Sequence, residues 1–208
     1  MTPTVGRKRK EKAPKVDRRT SWREAAALLG GDLIEGKRPS QDKVLVIHEP
    51  WRIWVDTYVV STGQVTVQYT RVRAFFRGWR GLTATVRSAN LFDRLWRKLA
   101  GNERPGVSRA LLEKHVVKGR PAARVPSLLL AAGLTEAILE APPGSLGVKR
   151  ASRRLRKRHG EGLAEVVCLT TGIVDAVDKL VAMVRVVEAA LEALAGIGES
   201  VREEAPDP

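Results

Sequence analysis

Between Trp51 and Phe76 the chain alternates twice, and this constrains the fold more than any other feature. Trp51, Ile53, Val55, Thr57 and Val59 fall on one face; Arg52, Trp54, Asp56 and Tyr58 fall on the other. After Ser61-Thr62-Gly63 the pattern resumes, with Val65, Val67, Tyr69, Arg71 and Arg73 opposite Thr66, Gln68, Thr70 and Val72. A period of two belongs to extended chain, and so short a link between two strands permits only an antiparallel hairpin. Residues 42–48, rich in β-branched side chains, predict a strand before this hairpin. Residues 82–88, after a turn at Gly78–Gly81, predict one behind it. Together these make an antiparallel meander.

The remainder reads mainly as helices. Ser21 and Glu24 form a capping-box pattern ahead of a short helix, Trp22–Leu29, which Gly30-Gly31 stops. Residues 35–42 make a polar connection. Asn90 caps a helix with an apolar stripe of Leu91, Leu95 and Leu99 beside Phe92 and Trp96, ended by Gly101. A helical turn then leads into a strand at His115–Lys118. Two short helices follow, the first opened near Pro121 and ended at Gly133, the second over 134–141. Residues 145–150 and 163–172 predict two strands flanking a basic loop or distorted hairpin. Ile173, Val177, Leu180, Val184, Val187, Leu191 and Leu194 then follow heptad spacing in a long helix, about 173–197. That seam can pack on the chain's own sheet or on the same helix of a second chain. The expected fold class is α+β. Residues 1–20 are expected as a disordered basic arm, 21–200 as a single α+β domain and 201–208 as a disordered acidic tail.

Charge gives the strongest functional signal. The chain has 208 residues and a net charge of +14, and the excess lies in two places. Residues 1–20 hold Arg7, Lys8, Arg9, Lys10, Lys12, Lys15, Arg18 and Arg19 against Glu11 and Asp17. Residues 149–158 hold Lys149, Arg150, Arg153, Arg154, Arg156, Lys157 and Arg158 with no acid. Without these runs the chain is close to neutral. Local runs of this kind attract polyanions: nucleic acid, an acidic membrane surface or an acidic protein partner. No apolar run is long enough for a membrane span, and the N-terminus lacks the apolar region of a secretory signal. The expected location is therefore cytoplasmic.

No catalytic constellation accompanies the charge. His48, His115 and His159 do not share metal-ligand spacing with one another or with Cys168. A lone Cys168 among apolar residues predicts an inert core thiol, and excludes a disulfide framework. Asp56 among aromatics is a candidate general base without a partner. In the meander Arg71, Arg73, Arg77, Arg80 and Arg87 alternate with Tyr69, Phe75, Phe76 and Trp79. Such a pattern serves either base stacking or an ordinary half-buried sheet.

Four stretches carry a resemblance: Tyr69-Thr70-Arg71-Val72-Arg73, Leu91-Phe92-Asp93-Arg94-Leu95, Val116-Val117-Lys118-Gly119 and Thr171-Gly172-Ile173-Val174-Asp175. Their order and spacing over roughly residues 44–200 resemble a bacterial domain family of unknown function. The resemblance implies an amphipathic helix after the meander, a strand ending in Lys-Gly, a strand pair and a C-terminal helix entered through Thr-Gly. It implies no catalytic residues. The chain departs from it at Arg120-Pro121, and at residues 149–158, where the family tends toward an acidic loop.

The expected function is non-enzymatic, needs no cofactor, and consists of binding nucleic acid, RNA or DNA. The expected contacts are Arg7, Lys8, Arg9 and Lys10 in the arm, and Lys149, Arg150, Arg153, Arg154, Arg156, Lys157 and Arg158 in the loop. The alternative is an assembly or scaffold module that dimerises or docks through the heptad helix.

Overall fold

The computed structural model describes residues 17–90, 93, 105–141, 144–203 and 206. Its centre is an eight-stranded antiparallel sheet. The alternating segments become β2 (Lys43–His48), β3 (Trp51–Ser61) and β4 (Thr66–Phe76), and β1 (Asp32–Ile34) adds a short edge strand that its three residues were too few to announce. The other strands are β5 (Thr83–Ser88), β6 (His115–Arg120), β7 (Ser145–Arg150) and β8 (Ala164–Thr171). The sheet order is β1-β2-β3-β4-β8-β7-β5-β6.

The meander therefore stops at β4, and β5, expected as its next strand, pairs with β6 and β7 instead. The β4 edge goes to β8, with Val72 opposite Cys168 and Ala74 opposite Val166. The link between β4 and β5 is no hairpin turn. The Arg80 and Leu82 N–H groups both donate to Glu199 Oε2, at 3.2 and 3.4 Å, and Val201 N donates to the Arg77 carbonyl at 2.9 Å. Gly78, with φ of +80°, lets Val201 come this close; a Cβ there would lie 2.3 Å from Val201 Cγ2.

One face of the sheet is the core. Val44, Val46, Ile53, Val55, Val72, Ala74, Ala84, Val86, Val117, Leu146, Val148, Val166 and Cys168 are all buried on it. Six α-helices lie among the described residues: α1 (Arg18–Leu28), α2 (Arg109–Lys114), α3 (Val125–Leu130), α4 (Leu134–Glu140), α5 (Arg153–His159) and α6 (Val177–Gly196). The last packs against β3, β4 and β8 and is flanked by α1, α3 and α4. Its heptad positions Leu180, Val184, Val187, Leu191 and Leu194 are buried within the chain's own core. The seam thus has its partner in the same chain. None of the single helices described is long and apolar enough to cross a membrane.

Several boundaries differ from expectation. Helix α1 starts at Arg18, with Asp17 at the N-cap, so Ser21 is a buried interior residue and no capping box forms. Arg18 and Arg19, expected in the arm, are folded. Arg18 lies 4.1 Å over the Trp22 ring, and Arg19 donates to Asp42 at 2.9 and 3.1 Å and to the Gly36 carbonyl at 2.9 Å. At the other end of α1 the stop is as expected. Gly30 has φ of +63°, Gly31 N bonds Ala26 O and Gly30 N bonds Ala27 O, the Schellman arrangement. Helix α6 begins at Val177 rather than Ile173, because Thr70 grips the preceding turn. Its hydroxyl donates to the Gly172 carbonyl at 2.9 Å and accepts from Val174 N at 2.8 Å. The expected tail is partly ordered too: Val201 bridges to Arg77, and Arg202 bonds Glu192 and lies over Trp51. The helix expected over 91–101 falls outside the described residues except at Asp93. Its cap is present, with Asp93 N donating to Asn90 Oδ1 at 2.8 Å and Asn90 N to Asp93 Oδ2 at 2.9 Å.

Two predictions follow from this core. Leu191→Ala removes a fully buried side chain from α6 and should destabilise by about 2–5 kcal/mol. The urea midpoint should fall equally at low and high protein concentration, as it would not if Leu191 served a dimer seam. Asp42 governs acid stability. Burial pushes its carboxyl up, but the Arg19 hydrogen bonds, the Gly36 N–H and the charge of Arg18 outweigh this and hold it below the ordinary 3.8. The stability it adds is complete above that value and is lost as pH falls through the lower folded value. Asp42→Asn should be less stable at neutral pH and show a flatter acid limb in denaturation measured against pH.

Candidate polyanion interface

At one end of the sheet β4 finishes at Phe76, β6 at Arg120 and β7 at Arg150, while β5 and β8 begin at Thr83 and Ala164. The basic run 149–158 sits at this end. It is not the expected loop: its first two residues finish β7, and Arg153–His159 forms α5. Ser152 Oγ caps the helix by accepting from Leu155 N at 3.4 Å, and Gly160, with φ of +108°, ends it. Leu155 packs into a small second core of Phe75, Ala151 and Leu163 on the sheet's outer face. Arg77 Nη1 donates to the His159 carbonyl at 2.9 Å. The helix therefore starts beside β7 and finishes beside β4, fixed at its middle and at both ends.

This placement divides the seven cations. Three are used by the fold. Lys149 Nζ lies 2.8 Å from Glu165 Oε1. Arg150 and Arg156 share Glu161, Arg156 Nε donates to the Ala151 carbonyl at 3.0 Å, and Arg150 lies 5.5 Å over the Trp79 ring. The other four, Arg153, Arg154, Lys157 and Arg158, are exposed and form no salt bridge with any described residue. Their spacing of i, i+1, i+4 and i+5 puts them on one helix face. Together they frame an open depression of about 500 Å³. Like charges four apart repel along a helix, so this face weakens the element that carries it.

The remaining candidates divide in the same way. Arg7, Lys8, Arg9 and Lys10 lie outside the described residues. Asp56 is not a free base. Arg71 donates to both its carboxylate oxygens at 2.7 and 2.8 Å, and Arg73 adds a bond at 3.0 Å. Burial lowers the Arg73 guanidinium, and the neighbouring charge of Arg71 lowers it further against the pull of Asp56. Strand alternation could have revealed this clamp, since Asp56 and Arg71 face each other across the β3–β4 pair. Phe75 and Phe76 are buried and cannot stack on a base. Trp79 is half-buried and donates to the Leu82 carbonyl at 2.7 Å. Arg87 is bonded to Asp93 at 2.7 and 2.8 Å.

His48 Nε2 lies 3.1 Å from Glu192 Oε1, and its ring stacks on Trp51. His115 is buried. Burial pushes the Cys168 thiol up to about 12. No group of three His, Cys, Asp or Glu among the described residues is placed to hold a metal ion. Searches against family models, curated proteins and solved structures returned no match, so the site rests on its own geometry. Cys168 should resist alkylation at neutral pH in the folded protein and react once urea unfolds it, as mass spectrometry would show; a reaction rate unchanged by urea would contradict this burial.

Proposed function

We propose that this protein binds nucleic acid without catalysing a reaction on it, and that the outward face of α5 is the contact surface. One observation carries the reading: Arg153, Arg154, Lys157 and Arg158 share one face of a fixed helix, and none of them is ion-paired with a carboxylate among the described residues. The nearby acids are already engaged. Glu161 is held by Arg150 and Arg156, Glu165 by Lys149 and Glu199 by Arg124. Guanidinium groups suit phosphate oxygens because their paired N–H donors match the phosphate's geometry. Arg7, Lys8, Arg9 and Lys10 supply a second set of contacts in this reading. The competing assembly reading loses its surface, because the heptad seam of α6 is buried in the same chain.

The test is fluorescence anisotropy of labelled single- and double-stranded RNA and DNA at rising salt. Four phosphate contacts on a single strand give a slope of log K against log salt of about −3. Replacing Arg153, Arg154, Lys157 and Arg158 with Ser should remove that part of the slope while leaving the thermal midpoint unchanged or raised. Arg156→Ser should lower the midpoint instead, since Arg156 works inside the fold. Absence of binding at low salt by the intact chain would end the nucleic-acid reading and turn attention to acidic protein partners.

A further inference from the structure

The cations of α5 are not the last on this end of the sheet. On the outer face, β5 and β6 pair Thr83 with Arg120 and Thr85 with Lys118. Each cation thus stands across from a hydroxyl. Between the two pairs lies the Ala84–Gly119 pair, and the four side chains wall an open depression of about 320 Å³ above it. Lys118 and Arg120 are exposed and form no salt bridge with any described residue. Thr83 Oγ1 donates to the Arg120 carbonyl at 3.4 Å, which leaves two cations and the Thr85 hydroxyl to donate to the oxygens of a phosphate group resting in the depression.

This depression lines up with α5. Beyond the Ala84–Val148 pair, Thr83 and Lys149 are the next residues along β5 and β7. Lys149 is paired in turn with Glu165 across β8 and linked by three residues to the start of α5. Crossing from β7 to β6 takes two strand spacings, about 10 Å, and α5 adds about 10 Å more. The route is not level. Leu155 seats α5 on top of Phe75, so a ligand must descend about one helix diameter, ~10 Å, to reach the sheet. A flexible single strand can follow that step; a rigid duplex cannot.

We propose that the depression between the Thr83–Arg120 and Thr85–Lys118 pairs is a second phosphate site, reached by the backbone of a single-stranded nucleic acid bound on α5. This rests on the α5 reading above. The experiment uses the full chain and its Lys118→Ser/Arg120→Ser double variant. The probes are oligothymidylates of about 4 and about 16 nucleotides, the range of single-strand site sizes, and a duplex of the longer length. On the long single strand the double variant should bind more weakly, with the salt slope smaller by about 1.4, two contacts' worth. On the short strand and the duplex it should match the parent chain. Glu165→Gln, which frees Lys149 at the crossing point, should tighten the long strand only.

An unchanged slope on the long strand, or an equal loss on the short strand or duplex, overturns the second site while leaving the α5 reading intact. Failure of Glu165→Gln to tighten the long strand overturns the crossing at β7. Failure of the parent chain to bind any probe overturns both readings together.

Discussion

Helix α6 buries nine of its twenty residues, and the rest of the fold is arranged around that fact. Between Leu180 and Ala195 only Arg185 is exposed. A helix with so wide an apolar stripe needs cover from more than one element. The inner face of the sheet supplies one wall, and α1, α3 and α4 supply the others. Because the main apolar rows of the central strands turn toward α6, their other faces carry only the small core of Phe75, Ala151 and Leu163 under α5. Charge collects on that outer face: the Asp56–Arg71–Arg73 clamp at its centre, and the cations of α5, β6 and β7 at one end.

Fixing α6 required buried polar anchors, and each has partners. Thr70 holds the turn that leads into the helix, Trp22 Nε1 donates to the Val174 carbonyl at 3.0 Å, and Glu199 behind the helix holds the Arg80–Leu82 backbone and Arg124. A buried carboxylate left alone would be costly, whereas one accepting from two backbone N–H groups and a guanidinium fixes a loop in a single geometry. Three stretches singled out in the sequence, around Thr70, Gly119 and Gly172, supply contacts that hold the fold together. Thr70 of the first grips Gly172 and Val174 of the last, and Gly119 of the second lies so near Thr83 that a Cβ would sit 2.4 Å from its carbonyl oxygen.

What could be read from the residues was local. Period-two alternation located β3 and β4, β-branched richness located β2, glycine and proline marked the ends of α1, α3 and α4, and heptad spacing found α6 with its start placed four residues early. The partner of each surface was not local. Nothing between Arg77 and Leu82 announces that β5 leaves β4, because that edge is claimed by a strand roughly ninety residues later whose Val166 and Cys168 complete the same apolar row. The heptad seam was visible but not whether it faced this chain or another. Helix α5 was legible in hindsight. Ser152 as a cap, Gly160 as a stop and one apolar residue, Leu155, between them are helix signals. The density of like charge, which disfavours a helix, masked them.

Formal charge was the least informative measure of the site, and the ion pairs correct it. Seven cations in ten residues read as one uniform patch in the sequence, yet strand and helix geometry treat them differently. A strand end turns Lys149 toward Glu165 on the neighbouring strand; a helix turns Arg156 inward beside Leu155 and leaves Arg153, Arg154, Lys157 and Arg158 outside. Lys149 and Arg150 stay at the surface in ion pairs that add little stability, and Arg156 alone is turned inward. The outward four gain nothing from the fold and repel one another, so their attraction is available to a ligand that brings its own negative charge. A folded chain keeps such a face at a cost of a few tenths of a kcal/mol per repulsive pair. Phosphate contacts of the proposed kind would offset that cost many times over, which is why the proposal rests on the face that the fold does not use.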